Sequence, residues 1–172
     1  MTTEKDFVLP FSQFKLGDFV ITVADVEDAQ RKWGDGIVRI ATAHSTGDNY
    51  VEIATNHVEH LYAYDLSEVL FKPTMASIDQ FRPTFESALS YFVASNDVCE
   101  EDSGFAIKGW TAVRFENSGM IINQSNAIAM GNYFFTGEDG NETKVEYTFG
   151  YILDDTSNLR IVLHHSSLPA SS

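Results

Sequence analysis

The sequence predicts an α+β fold, with helices packed on a strongly curved antiparallel sheet. Three observations predict it: helical apolar spacing fills the first half, two-residue alternation fills the second, and glycines interrupt two of the alternating runs. The 172 residues suit one domain with a short arm, read as residues 1–22 followed by a single domain over 23–172. A hydrophobic content of 44%, including 13% aromatics, is enough to fill its core.

Residues 1–22 mix Pro10 with Phe7, Phe11, Phe14 and Phe19, the texture of an arm that packs on the domain or on a partner subunit. Asp25 reads as the N-cap of the first helix, with Glu27 and Asp28 in its first turn. Val26, Ala29, Trp33, Ile37, Ile40 and Ala41 follow at helical spacing. Gly34 and Gly36 each cost roughly 1 kcal/mol relative to Ala inside a helix, which predicts close approach of another backbone there. After Gly47-Asp48-Asn49 a second helix is expected from Tyr50 to Tyr62, then a short extended piece over Leu70–Thr74. Thr84 caps a third helix carrying Phe85, Ala88, Leu89 and Phe92 on one side. Residues 96–104 read as an exposed acidic loop. Four strands follow, over Thr111–Phe115, Ala127–Thr136, Lys144–Leu153 and Leu159–Ser167, joined by Gly-, Asn- and Asp-rich turns. Gly131 and Gly150 interrupt two of them and mark bends, so the sheet wraps around the helices and encloses a cavity.

Composition removes several functions. Only 11 Lys and Arg stand against 25 Asp and Glu, a formal charge of −14, which disfavours nucleic acid and anionic membranes as partners. No run approaches the roughly 18 apolar residues of a membrane span. The first residues lack a basic start followed by an apolar run, and Cys99 is the only cysteine, so a reducing, cytoplasmic setting is expected. One cysteine permits neither an internal disulfide nor a multi-cysteine zinc site. The acids beside Cys99 make it a poor nucleophile. No nucleophile elbow or phosphate-binding glycine loop is present.

Two histidine pairs remain. His57 and His60, three apart on a helix, could share a face, yet no third zinc ligand accompanies them. His164 and His165 are adjacent on a strand and point to opposite faces. Beside them stands a hydroxyl set: Thr74 after the Pro73 turn, Tyr91 on the third helix, and Ser166 and Ser167 on the last strand. Each has an ordinary structural reading as a cap, a core ring or strand-end polarity.

Ordered motifs along the chain are more specific. Leu163-His164-His165-Ser166-Ser167-Leu168-Pro169 resembles the C-terminal signature of the iota-class carbonic anhydrases. Phe71-Lys72-Pro73-Thr74, Phe81-Arg82-Pro83-Thr84, Ala88–Phe92, Arg114–Asn117, Ala127–Phe135 and Val145–Tyr151 are similar to that family too, so the likeness covers about residues 25–170. The resemblance implies a cone-shaped, nuclear-transport-factor-like fold related to the association domain of the calmodulin-dependent protein kinase. It implies reversible hydration of carbon dioxide to bicarbonate without a metal or other cofactor. Some relatives are described as metal-dependent, and some members of the family carry a third histidine where this chain has Val162-Leu163. Carried over by motif, Thr74, Tyr91 and Ser166 become catalytic, Tyr91 as a proton relay. His165 and Ser167 become substrate-binding, with Ser167 competing for the role of Ser166. A homodimer through the sheet is the expected assembly.

Overall fold

A computed structural model describes residues 20–170, so most of the expected arm, residues 1–19, lies outside the described residues. Ile21, at its end, is buried in the core. Three helices, α1 (Val23–Thr46), α2 (Tyr50–Leu61) and α3 (Phe85–Val93), pack on a five-stranded sheet. Its strands are β1 (Leu70–Lys72), β2 (Ala112–Ile122), β3 (Asn126–Thr136), β4 (Glu142–Leu153) and β5 (Leu159–Ser167), in the order β1-β5-β4-β3-β2. The expected α+β layering holds. The sheet is mixed rather than wholly antiparallel, because β1 runs parallel to β5 at the edge.

The N-cap of α1 is Thr22, three residues before the expected cap. Thr22 accepts from the Asp25 amide at 3.3 Å, and the Asp25 carboxylate accepts from the Thr22 amide at 2.8 Å. Thr22-x-x-Asp25 is therefore a reciprocal capping box, and Asp25 sits at its third helical position instead of capping alone. Gly47, at φ 79°, ends the helix in the left-handed region where an L side chain is strained. Gly34 and Gly36 admit close neighbours as expected, but those neighbours are chiefly side chains. A Cβ at Gly34 would lie 3.1 Å from Val113 Cβ, and one at Gly36 would overlap the His57 ring. His57 is buried against Trp33 and Phe92, whereas His60 is exposed, so the two rings do not share a face. Burial drives His57 down to about 3, helped by the Arg39 charge, and the ring is neutral core.

Trp33 stands at the centre of that core. Its indole is 1% exposed and meets Phe92, Phe115, Tyr133, Phe135, Phe149 and His164 at centroid distances of 5.5 to 6.4 Å. Each such ring contributes roughly 1.5–3 kcal/mol on burial, and edge-to-face geometry adds orientation.

Two bulges shape the sheet. Between Asn117 and Gly119 the register against β3 slips by one residue. The inward side chains of β2 change from Val113 and Phe115 to Met120 and Ile122, and this change of phase hid the strand's second half from sequence reading. A second slip, at Gly150–Tyr151 against Ile161–Leu163, leaves Val162 as the extra residue on β5. Beyond it the buried positions are His164 and Ser166.

β2 crosses β3 so closely at Gly131 that a Cβ there would overlap the Glu116 carbonyl and stand 2.8 Å from the Ser118 amide. Both obstacles are backbone. Gly131→Ala is therefore expected to lower stability by roughly 1–3 kcal/mol, read as a reduced denaturant midpoint; unchanged stability would contradict the close crossing.

Candidate active site

A cavity of about 180 Å³ lies between α1, α3 and the inner face of β3–β5. Its walls are aromatic and aliphatic, from Trp33, Phe92, Phe105, Trp110, Phe135 and Val145. Thr74, Tyr91, Tyr133, Thr143 and Ser166 bring hydroxyls into this apolar lining, and His164 brings an imidazole. Lys108, exposed, is the one charged side chain among the lining residues. A larger hollow of about 560 Å³ beside α2 is lined by Asp25, Asp28, Glu59, Asp65 and Arg160 among others. Its two cations are both paired within the fold: Arg160 donates to the Glu59 and Tyr62 carbonyls and to Asp65 at 2.6–2.7 Å, and Lys32 meets Asp28 at 2.7 Å.

Thr74 and Ser166 come together although 92 residues separate them. β1 pairs with β5 in the register Leu70↔Leu163, Phe71↔His164 and Lys72↔His165, and the chain then leaves the sheet through Pro73. That exit places Thr74 Oγ1 where it donates to Ser166 Oγ at 2.9 Å. Tyr91, on the buried side of α3, lines the same cavity. Burial holds its phenol well above the ordinary value of 10, partly offset by the Met75 amide. Tyr91 is thus a neutral phenol with one hydrogen to give.

The expected substrate-binding pair is not brought to the cavity. After the Val162 bulge, odd-numbered residues of β5 face outward, so His165 is exposed and Ser167 donates to Glu146 Oε2 at 2.8 Å. Of the two serines, Ser166 is the one that lines the cavity, 3% exposed and opposite Tyr147. Sequence reading missed His164 and Tyr133 as pocket groups. His164 stacks on Phe71 at 4.6 Å and meets Phe149 at 4.3 Å. Burial lowers its basicity well below the ordinary imidazole value, and the neighbouring His165 and His57 imidazoles add to the effect. Its alternation with Ser166 was the available signal. Nothing in the sequence pattern marked Lys108.

The acidic loop is more than solvated surface. Asp102 forms a buried ion pair with Arg82 at 2.7 Å and accepts from Ser90 at 2.7 Å. Cys99 is buried as well, and desolvation is the first cause of its raised thiol. Glu101 accepts from the amides of Ser77, Ile78 and Asp79 and from the Ser77 hydroxyl, at 2.7–2.9 Å. This clamp fixes the loop that carries Thr74 and Met75 past the cavity. Among the described residues, no three His, Cys, Asp or Glu side chains are grouped where they could hold a metal ion.

The family model for metal-independent carbonic anhydrase matches residues 24–168. The chain belongs to that family. A metal-independent carbonic anhydrase from Nostoc sp. (strain PCC 7120) is 38% identical over 152 residues, which span 87% of this chain and 74% of that protein. The crystal structure of a cyanobacterial iota-carbonic anhydrase complexed with bicarbonate superposes with a TM-score of 0.86 at 36% identity, covering 89% of this chain and 95% of the other. A protein from Xanthomonas campestris, described as a calcium/calmodulin-dependent protein kinase II association domain, shares the fold at 20% identity. Its TM-score is 0.58, with 87% of each chain covered. NTF2-like proteins share the fold as well. This member therefore has the cone-shaped fold that its motifs implied.

The Glu101 clamp is testable. Its hydrogen bonds hold the carboxyl at about 2, against an ordinary 4.5. A depressed value of this kind stabilises above the ordinary pKa and is lost as the pH falls through the folded one, so the clamp is complete at neutral pH. Glu101→Gln is expected to speed amide exchange at Ser77, Ile78 and Asp79 by roughly tenfold at neutral pH, with β4 amides unchanged. Equal exchange in both proteins would show that the carboxylate does not anchor the loop.

Proposed function

We propose that this cavity hydrates carbon dioxide to bicarbonate, reversibly and without a metal, with Thr74, Tyr91 and Ser166 as the catalytic hydroxyls. The observation that carries the proposal is their convergence: Thr74 donates to Ser166 at 2.9 Å, and Tyr91 shares the aromatic-walled cavity with both. Family membership and the relative crystallised with bicarbonate support the same reaction.

The chemistry follows from the lining. Carbon dioxide is apolar and enters an apolar cavity without losing strong hydration. Attack by water forms one C–O bond, moves one C=O electron pair onto oxygen, and releases one proton. The negative charge grows on oxygen, so hydroxyl donors that point at that oxygen bind the transition state better than the substrate. They also hold water and carbon dioxide in line, which removes much of the entropic cost of encounter. Tyr91 stays a phenol, so the released proton ends on solvent or buffer. Lys108 at the rim offsets the −14 net charge locally and draws bicarbonate toward the opening.

A homodimer through the outer sheet face is part of the proposal. Ile121 pairs with Ile128, and with Met130 they present an apolar outward patch, at 65%, 43% and 57% exposure. A cytoplasmic location accords with the single cysteine. No helix among the described residues is long and apolar enough to cross a membrane.

Stopped-flow hydration on chelator-treated protein tests the reading. Activity is expected to survive chelation, and Ser166→Ala or Tyr91→Phe is expected to lower kcat/KM by roughly a hundredfold with the fold kept. Activity lost with the metal, or full activity in both variants, would overturn it. No activity under any condition would leave a ligand-binding module on the same fold.

A further inference from the structure

Behind the three hydroxyls runs a file of buried polar groups. Trp33 Nε1–H donates to the Tyr62 hydroxyl oxygen at 3.0 Å. The Tyr62 hydroxyl lies 2.8 Å from His164 Nδ1, and His164 Nε2 lies 3.3 Å from the Tyr133 hydroxyl. All four side chains are at most 3% exposed. Trp33, Tyr133 and His164 line the cavity, whereas Tyr62 stands outside it.

Counting hydrogens gives this file a direction. An indole N–H can only donate, so Tyr62 receives at that end. The single Tyr62 hydrogen then goes to His164 Nδ1. The opposite order would leave it without an acceptor inside an aromatic box, where an unpaired polar hydrogen is costly. A neutral imidazole carries one N–H, which therefore sits on Nε2 and donates to Tyr133. With its oxygen occupied from behind, Tyr133 has its own hydrogen turned away from the imidazole, toward the cavity that the residue lines. Ser166, receiving from Thr74, likewise keeps a hydrogen to give.

We propose that Tyr133 is a fourth hydroxyl of the site, aimed into the cavity as a fixed donor by His164 acting as a positioning residue. Tyr91, Tyr133 and Ser166 then present three donors to one ligand, and the cavity is a receptor for a small oxyanion. This deepens the carbonic anhydrase reading and rests on it for the identity of that anion as bicarbonate. The file also ends on an indole with no lone pair able to take a proton. It is consequently a dead end for protons, which leave through the cavity mouth.

Two measurements decide the proposal. Nitrogen-detected imidazole NMR on the full wild-type chain should show His164 with a bare Nδ1 and a protonated Nε2 across the neutral pH range. A proton on Nδ1, or a cationic ring, would overturn the direction of the file. Titration with bicarbonate, followed by carbon-13 NMR, should show affinity about tenfold weaker in Tyr133→Phe and weaker also in Tyr62→Phe, which touches no ligand. Unchanged affinity in Tyr133→Phe, or no bicarbonate binding by the wild-type chain, would sink the assignment. If Tyr133→Phe fails to fold, the wild-type tautomer and Tyr62→Phe still decide. Anion binding needs no turnover, so a protein that binds bicarbonate yet hydrates nothing would refute the enzymatic reading and leave this one standing.

Discussion

Three parallel backbone pairs between β1 and β5 fix where the pocket's oxygens lie. Leu70–Lys72 pairs with Leu163–His165, and Thr74 reaches Ser166 only while that register is kept. The Val162 bulge supplies the second half of the constraint, because a one-residue slip exchanges the faces of a strand. Without it, His165 and Ser167 would face inward, and an imidazole would stand where the serine hydroxyl now does. A backbone irregularity therefore selects the chemistry of the cavity.

The aromatic core serves the site as well as the fold. Rings around Trp33 hold the sheet on the helices, and the same rings exclude water from the hydroxyls and from His164. In that low-polarity setting every hydrogen bond gains strength and every unpaired one is costly. Burial keeps the tyrosines and the histidine neutral, so they act by donating and accepting without changing charge. The loop side depends on charge instead. Arg82–Asp102 and the Glu101 clamp hold the segment after Thr74, and both use acids that a sequence reading assigns to solvent.

Much of the fold was legible, and the failures have local causes. β5 was readable as an apolar run after the Asp154–Asn158 turn, and the third helix because its apolar spacing is unbroken and Thr84 is an unambiguous cap. The start of α1 was misplaced because a capping box spreads its signal over Thr22 and Asp25. β1 looked like a mere extended piece, and nothing in three residues announces a parallel partner ninety positions later. At the site, motif resemblance selected Thr74, Tyr91 and Ser166, which the structure brings to one cavity. Residue types alone could not separate Ser166 from Ser167, since a bulge leaves no compositional trace. Tyr133 and His164 were hidden for another reason: their importance lies in which hydrogen goes where, a property of contacts that spacing does not encode.

The central physical claim is that one bicarbonate can be spanned by hydroxyls that lie far apart along the chain. A crystal structure of this protein soaked in bicarbonate tests it most directly. The anion is expected inside the cavity, its oxygens within hydrogen-bond reach of Thr74, Tyr91 and Ser166. An anion seated only outside it, against Lys108 at the rim or beside His165 and Ser167 on the outer face, would contradict the account.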